Sequence, residues 1–159
     1  MTEIAPGIKK DERNRIEEIL RSAGFFYEFE IDTALEIADD TLRKGMEKSG
    51  YFWLKAFDEN GIAGFANYGK NAFSTHSWDL YWIAVHQDWR NKKIGSQLLK
   101  AVEEDVKKQG GKILWIETSG RPLYVSTEAF YKRNGYDLQA SLKDFYGPGD
   151  PKQIYSKVL

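Results

Sequence analysis

Arg90, Lys92 and Lys93 place three cationic side chains within four positions, and Ile94-Gly95-Ser96 opens an apolar-periodic stretch directly after them. A short basic loop that runs straight into a helix suits one kind of chemistry, the holding of phosphates. The first N–H groups of a helix have no intrahelical acceptor and carry the positive end of the backbone dipole. Anions settle there, and nearby cations add attraction.

The flanking elements must position that loop. Ahead of it, Trp78-Asp79-Leu80-Tyr81-Trp82-Ile83-Ala84-Val85 is a nearly continuous apolar and aromatic run, the pattern expected of a strand buried on both faces. Behind it, Ile94, Leu98, Leu99, Val102 and Val106 fall on one side of a helix, with Lys100, Glu103, Glu104, Lys107 and Lys108 largely on the other. Gly110-Gly111 stops this helix, and Ile113-Leu114-Trp115-Ile116 reads as another buried strand. Strand, crossover helix and strand together form a parallel unit.

On these residues the chain resembles the GNAT superfamily of acetyl-CoA-dependent N-acetyltransferases. The family's phosphate-loop pattern, Arg/Gln-x-x-Gly-x-Gly/Ala, maps to Arg90-Asn91-Lys92-Lys93-Ile94-Gly95, and Thr127 to Tyr136 resembles its short helix ending in FYxxxGF. The resemblance implies a mixed α+β (α/β) fold over residues 1–159 as one domain. Its sheet would be central, mixed and mostly antiparallel, with a parallel strand pair splayed around CoA and helices on the flanks. It also implies acetyl-CoA as co-substrate, with Ile83, Ala84, Val85 and the loop Arg90, Asn91, Lys92, Lys93, Ile94, Gly95 and Ser96 in contact with it. Lys93 departs from the pattern, standing where the family has its first loop glycine. A lysine in an already helical backbone would point outward and still donate its N–H to a phosphate.

Acetyl transfer from a thioester to an amine needs a deprotonated amine, a polarised carbonyl and a proton for the departing thiolate. An alkyl amine has a pKa of roughly 10, so a base or a water relay must take its proton. Asp79 occupies the position where several family members keep a catalytic glutamate; being one methylene shorter, it would act through water. Glu117, at the end of the next parallel strand, is the competing base, and water alone remains open. If the strands splay at their C-terminal ends, both carboxylates face the gap where open α/β sheets bind ligands. The bland alternatives are that Asp79 caps a turn and that Glu117 pairs with a Lys or Arg. The resemblance assigns the carbonyl's donor to the Ile83 N–H and the thiolate's proton to Tyr131, whose alternative role is packing. Among the aromatics near the central strands, Trp53, Trp78, Tyr81, Trp82, Trp115 and Tyr124 could line an acceptor pocket or simply fill a core. Glu28 or Glu30 could hold an ammonium group.

Bulk properties narrow the classes. A chain of 159 residues makes one ordinary domain, and a net charge of -1 argues against a nucleic-acid binder. Without cysteine there is no thiolate nucleophile to carry an acetyl group and no disulfide framework, and His76 and His86 are too few for a histidine-rich metal centre. Neither a signal-like N-terminus nor a membrane-length apolar run is present, so a cytoplasmic protein is expected. The reading is direct transfer to a small-molecule or peptide amine in a ternary complex, with no metal, nucleic acid or membrane and with homodimerisation open. The alternative is a catalytically weak or silent acyl-CoA-binding module.

The remaining elements follow from periodicity. Asp11 to Ala23 reads as a helix ended by Gly24, and a second helix starts after Asp32 as N-cap and runs toward Gly50. Tyr51–Phe57 and Ile62–Tyr68 read as a hairpin through Asp58-Glu59-Asn60-Gly61, with Gly64 marking a bulge or a close backbone contact. Residues 136–142 and 153–158 read as the last strands, with Lys143 to Lys152 as a loop. Thr2 to Ile8 is the only candidate for a strand ahead of the first helix.

Overall fold

The strand ahead of the first helix is present. In the computed structural model, which describes residues 1–159, β1 (Glu3–Pro6) pairs antiparallel with β2 (Phe52–Asp58), from Glu3 opposite Phe57 to Pro6 opposite Leu54. Seven strands form a sheet in the order β1-β2-β3-β4-β5-β7-β6, mostly antiparallel with β4 and β5 as the parallel pair. The chain divides into two units, Met1–Gly69 with Tyr81–Asp105, and Lys70–Leu80 with Val106–Leu159. No helix is long and apolar enough to cross a membrane.

In the first unit, α1 (Arg13–Ala23) ends where Gly24 takes the left-handed conformation (φ 80°). The second helix, α2 (Glu28–Lys44), begins before Asp32 rather than after it. Two local contacts move its start: Glu30 accepts the Tyr27 N–H at 2.9 Å, and Arg21 grips Glu28 through two bonds of 2.8 and 2.9 Å. Asp32 is left exposed inside the helix, while Glu28 and Glu30 make these two contacts at its start. A short α3 (Met46–Ser49) follows, bounded by Gly45 and Gly50.

Ile16, Ile19 and Leu20 from α1 and Ile31, Ala34, Leu35 and Ala38 from α2 pack with Trp53, Ile62, Phe65 and Ala84 into one core. Trp53 lies in that core and its indole N–H donates to Thr41 Oγ1 at 2.9 Å, so it serves packing. The strand buried along its length is β3 (Gly61–Lys70), in which every residue from Ile62 to Gly69 is buried. β4 (Ser77–Val85) was expected to be buried on both faces and instead alternates. Trp78, Leu80 and Ala84 are buried, Asp79 is half-buried, and Tyr81 is exposed, packed edge-on against Tyr51.

In the second unit, β5 (Ile113–Ser119) pairs with Ser77–Leu80 of β4 on one side and antiparallel with β7 (Asp150–Val158) on the other, and β6 (Asp137–Gly147) forms the edge. The stretch Lys143–Lys152, expected as a loop, is mostly strand, and only the turn at Pro148-Gly149 interrupts it. The Asp144 carboxylate accepts the Gly149 N–H at 2.9 Å and closes that end of the hairpin. Irregular register between Leu142 and Gly147 breaks the alternation that would have marked the strand.

Candidate active site

The basic loop is built by left-handed residues. Asn91 and Lys93 have φ of 63° and 61°, while Lys92 and Ile94 keep ordinary negative values. Such alternation turns successive N–H groups toward one side and makes a concavity suited to an anion. Lys93 is therefore not in helical backbone, as its expected tolerance required. Its carbonyl accepts the Gln97 N–H at 3.0 Å, so it is the residue on which α4 (Ile94–Lys108) begins. A left-handed conformation costs an L-residue about 1–2 kcal/mol, which explains why a glycine suits this place; Asn91 tolerates it more readily.

Ile94, the first residue of α4, is buried, as are Leu98 and Leu99 on the same side of the helix. Arg90 is exposed and donates to the Ala23 carbonyl at 3.2 Å, and the Lys92 ammonium lies 4.8 Å from the Trp89 ring centre. Gly95 and Ser96 occupy the first turn of α4. At the end of β4, Ile83 and Val85 are partly buried and Ala84 is buried, and the His86 N–H donates to Ala63 at 2.8 Å. Gly64 permits this approach. A Cβ there would lie 2.8 Å from the Ala84 carbonyl oxygen. The β2–β3 register also slips beside it, between Ala56 and Phe57, so both expected roles of Gly64 occur together.

The second unit holds an open cleft of about 340 Å³ lined by Asn71, Ser74, Ser77, Asp79, Trp115, Glu117 and Ile154. Register explains the grouping. Asp79 lies opposite Trp115 and Glu117 opposite Ile154, and alternate strand residues share a face. Asp79 caps no turn; its Oδ2 accepts from the Asn71 amide at 3.1 Å. Burial raises the Asp79 carboxyl above the usual aspartate range, the Asn71 bond opposes this, and the Glu117 charge adds to the rise. Glu117 is more exposed and pairs with Lys152 Nζ at 2.8 Å, an ammonium that also sits 4.3 Å from the Phe145 ring centre. The Trp115 indole donates to Ser77 Oγ at 3.1 Å.

Tyr131, on α5 (Val125–Arg133), belongs to the other face of that unit's sheet. It is buried, with its ring 5.8 Å from that of Tyr155, which lies opposite Ile116. Desolvation pushes its phenol well above 10, followed by the neighbouring Tyr155 and Tyr124, so it holds its proton at neutral pH. Thus Asp79 and Glu117 come together while Tyr131 does not share their face. Asn71, Ser74, Ser77, Ile154 and Lys152 were not expected in the site. Ser77 could have been found by stepping two residues back from Asp79 along the strand; the loop residues Asn71 and Ser74 carry no such periodic signal.

The family model for the acetyltransferase (GNAT) family matches residues 14–136, and the chain belongs to that family. A solved structure from Desulfovibrio desulfuricans, itself assigned as an acetyltransferase of the GNAT family, is similar with a TM-score of 0.95 and 35% identity over 99% of both chains. The aminoglycoside 6'-N-acetyltransferase from Enterococcus faecium (TM-score 0.77, 18% identity, 98% of this chain and 96% of that one) shares the fold. So does the ribosomal-protein-S18-alanine N-acetyltransferase from Escherichia coli (0.75, 18%, 99% and 94%). A search of curated proteins gives no match.

Proposed function

We propose that this chain, acting as one domain, transfers the acetyl group of acetyl-CoA directly to a primary amine. The observation that carries the reading is the loop at Asn91–Lys93, whose alternating backbone and flanking cations fit a pyrophosphate. Asn91 to Ser96 receive the phosphates, Arg90 and Lys92 add charge, and Ile83, Ala84 and Val85 contact the acyl arm, with the Ile83 N–H donating to the thioester oxygen. Asp79 takes the proton of the incoming amine through a water, because burial holds its carboxyl above the usual aspartate range whereas Glu117 is already committed to Lys152. Tyr131 returns a proton to the CoA thiolate. The amine acceptor enters the cleft beside Asp79, where Trp115 offers a ring face and Asn71, Ser74 and Ser77 offer hydrogen bonds.

Two measurements test this. At a hundredfold excess over its dissociation constant, acetyl-CoA adds about 2.7 kcal/mol, or roughly 5–11 °C in melting temperature for a chain of this size. No shift at millimolar acetyl-CoA would sink the assignment. Release of CoA thiol is then followed with kanamycin, spermidine and an alanine-led hexapeptide. Stabilisation without thiol release from any of them favours a silent CoA-binding module instead.

A further inference from the structure

We infer that the acceptor is a dication, an amine joined by a short aliphatic chain to a second positively charged group, which sits on the Trp115 ring beside Glu117. The inference rests on the proposed entry of the reacting amine beside Asp79.

The charged residues that line the cleft are Asp79 and Glu117, both acidic, and Trp115 stands between them in register. Asp79 is opposite Trp115 across the parallel pair, and Glu117 is two residues further along β5 on the same face. One strand spacing across and two residues along put the two backbones about 8 Å apart. An amine held at Asp79 therefore brings a group about four carbons away to the neighbourhood of Glu117.

Trp115 is prepared for such a group by its own hydrogen bond. The indole N–H donates to Ser77 Oγ at 3.1 Å, which satisfies the ring's one polar atom and fixes its edge. What a half-buried indole then offers a ligand is carbon surface, and among aromatic faces that of tryptophan attracts a cation most strongly. Lys152 does not cancel the acidic character. It reaches Glu117 Oε2 at 2.8 Å from β7, with the Phe145 ring of β6 centred 4.3 Å from its Nζ, so it draws on the side of Glu117 away from Asp79 and β4. The Glu117 charge is still felt at the Asp79 carboxyl. A carboxylate on the acceptor would face these like charges, and a methyl group would gain nothing from them.

The test follows CoA thiol release by the full chain with amines built on one butyl chain: putrescine, aminobutyltrimethylammonium, butylamine and γ-aminobutyrate. Putrescine should exceed butylamine in kcat/KM by about tenfold, and γ-aminobutyrate should fall below butylamine by a similar factor. The trimethylammonium compound cannot donate a hydrogen bond, yet it should keep most of the advantage because a ring face attracts charge alone. Trp115→Leu should cut the advantage to about twofold, and Trp115→Phe, which keeps a ring, should restore much of it. Glu117→Gln should reduce it for both dications, and in the wild type it should shrink as ionic strength rises from about 0.1 to about 1 M. Each result is a ratio within one protein, so a loss of folded enzyme cancels. Equal kcat/KM for putrescine and butylamine, or a preference for γ-aminobutyrate, would overturn the inference alone. So would an advantage undiminished in both Trp115→Leu and Glu117→Gln, or thiol release with the hexapeptide but not with putrescine or spermidine. No thiol release with any acceptor would instead remove the reading on which it rests.

Discussion

Replacing Lys93 with glycine separates what its backbone does from what its charge does. At φ 61° the lysine Cβ is in the left-handed region, a cost of about 1–2 kcal/mol that glycine does not bear. Glycine gives back about 0.5–1 kcal/mol through the greater freedom of the unfolded chain. The net expectation is a protein more stable by about 0.5–1 kcal/mol, or roughly 1–4 °C in melting temperature at this chain length. Lys93→Ala is the control, because it removes the same charge and keeps the strain, so its melting temperature should stay at the wild-type value. Both variants retain the residue 93 N–H and lose one exposed cation, so calorimetric titration with CoA should show weakening of no more than about fivefold. Glycine melting below wild type, or alanine matching glycine, would refute the strain argument. A tenfold or greater loss of CoA affinity in both variants would show that the ammonium itself is a principal ligand.

Asp79→Asn should abolish most turnover while leaving CoA binding intact, as measured by thiol release and calorimetry. It also carries a stability signature. A carboxyl raised in the folded state favours folding at low pH and loses that contribution as pH rises from about 4, the ordinary aspartate value, through the higher folded value. The variant should therefore gain melting temperature relative to wild type between pH 4 and pH 7; a constant difference would contradict the raised carboxyl. Gly64→Ala should destabilise by about 1–3 kcal/mol, because its new Cβ meets a backbone oxygen that cannot rotate away. By pushing on Ala84 it should also weaken CoA binding, and thermal melts with and without CoA check both effects.

These residues show where the sequence was readable and where it was not. Periodicity located α4 to its first residue because Ile94, Leu98, Leu99, Val102 and Val106 are all buried on one face, and apolar burial is the largest signal a sequence carries. The start of α2 was missed because it depends on Arg21–Glu28 and Tyr27–Glu30, contacts between polar side chains that leave no apolar pattern. The far ends of β6 and β7 were missed for a related reason: β6 is an edge strand exposed on nearly every residue, so no inward face imposed alternation on it. Position 93 is a third case. The glycine of the resembled pattern marked the place, but an exposed lysine carries no signal of its own φ, so a helical backbone was expected where the chain is left-handed.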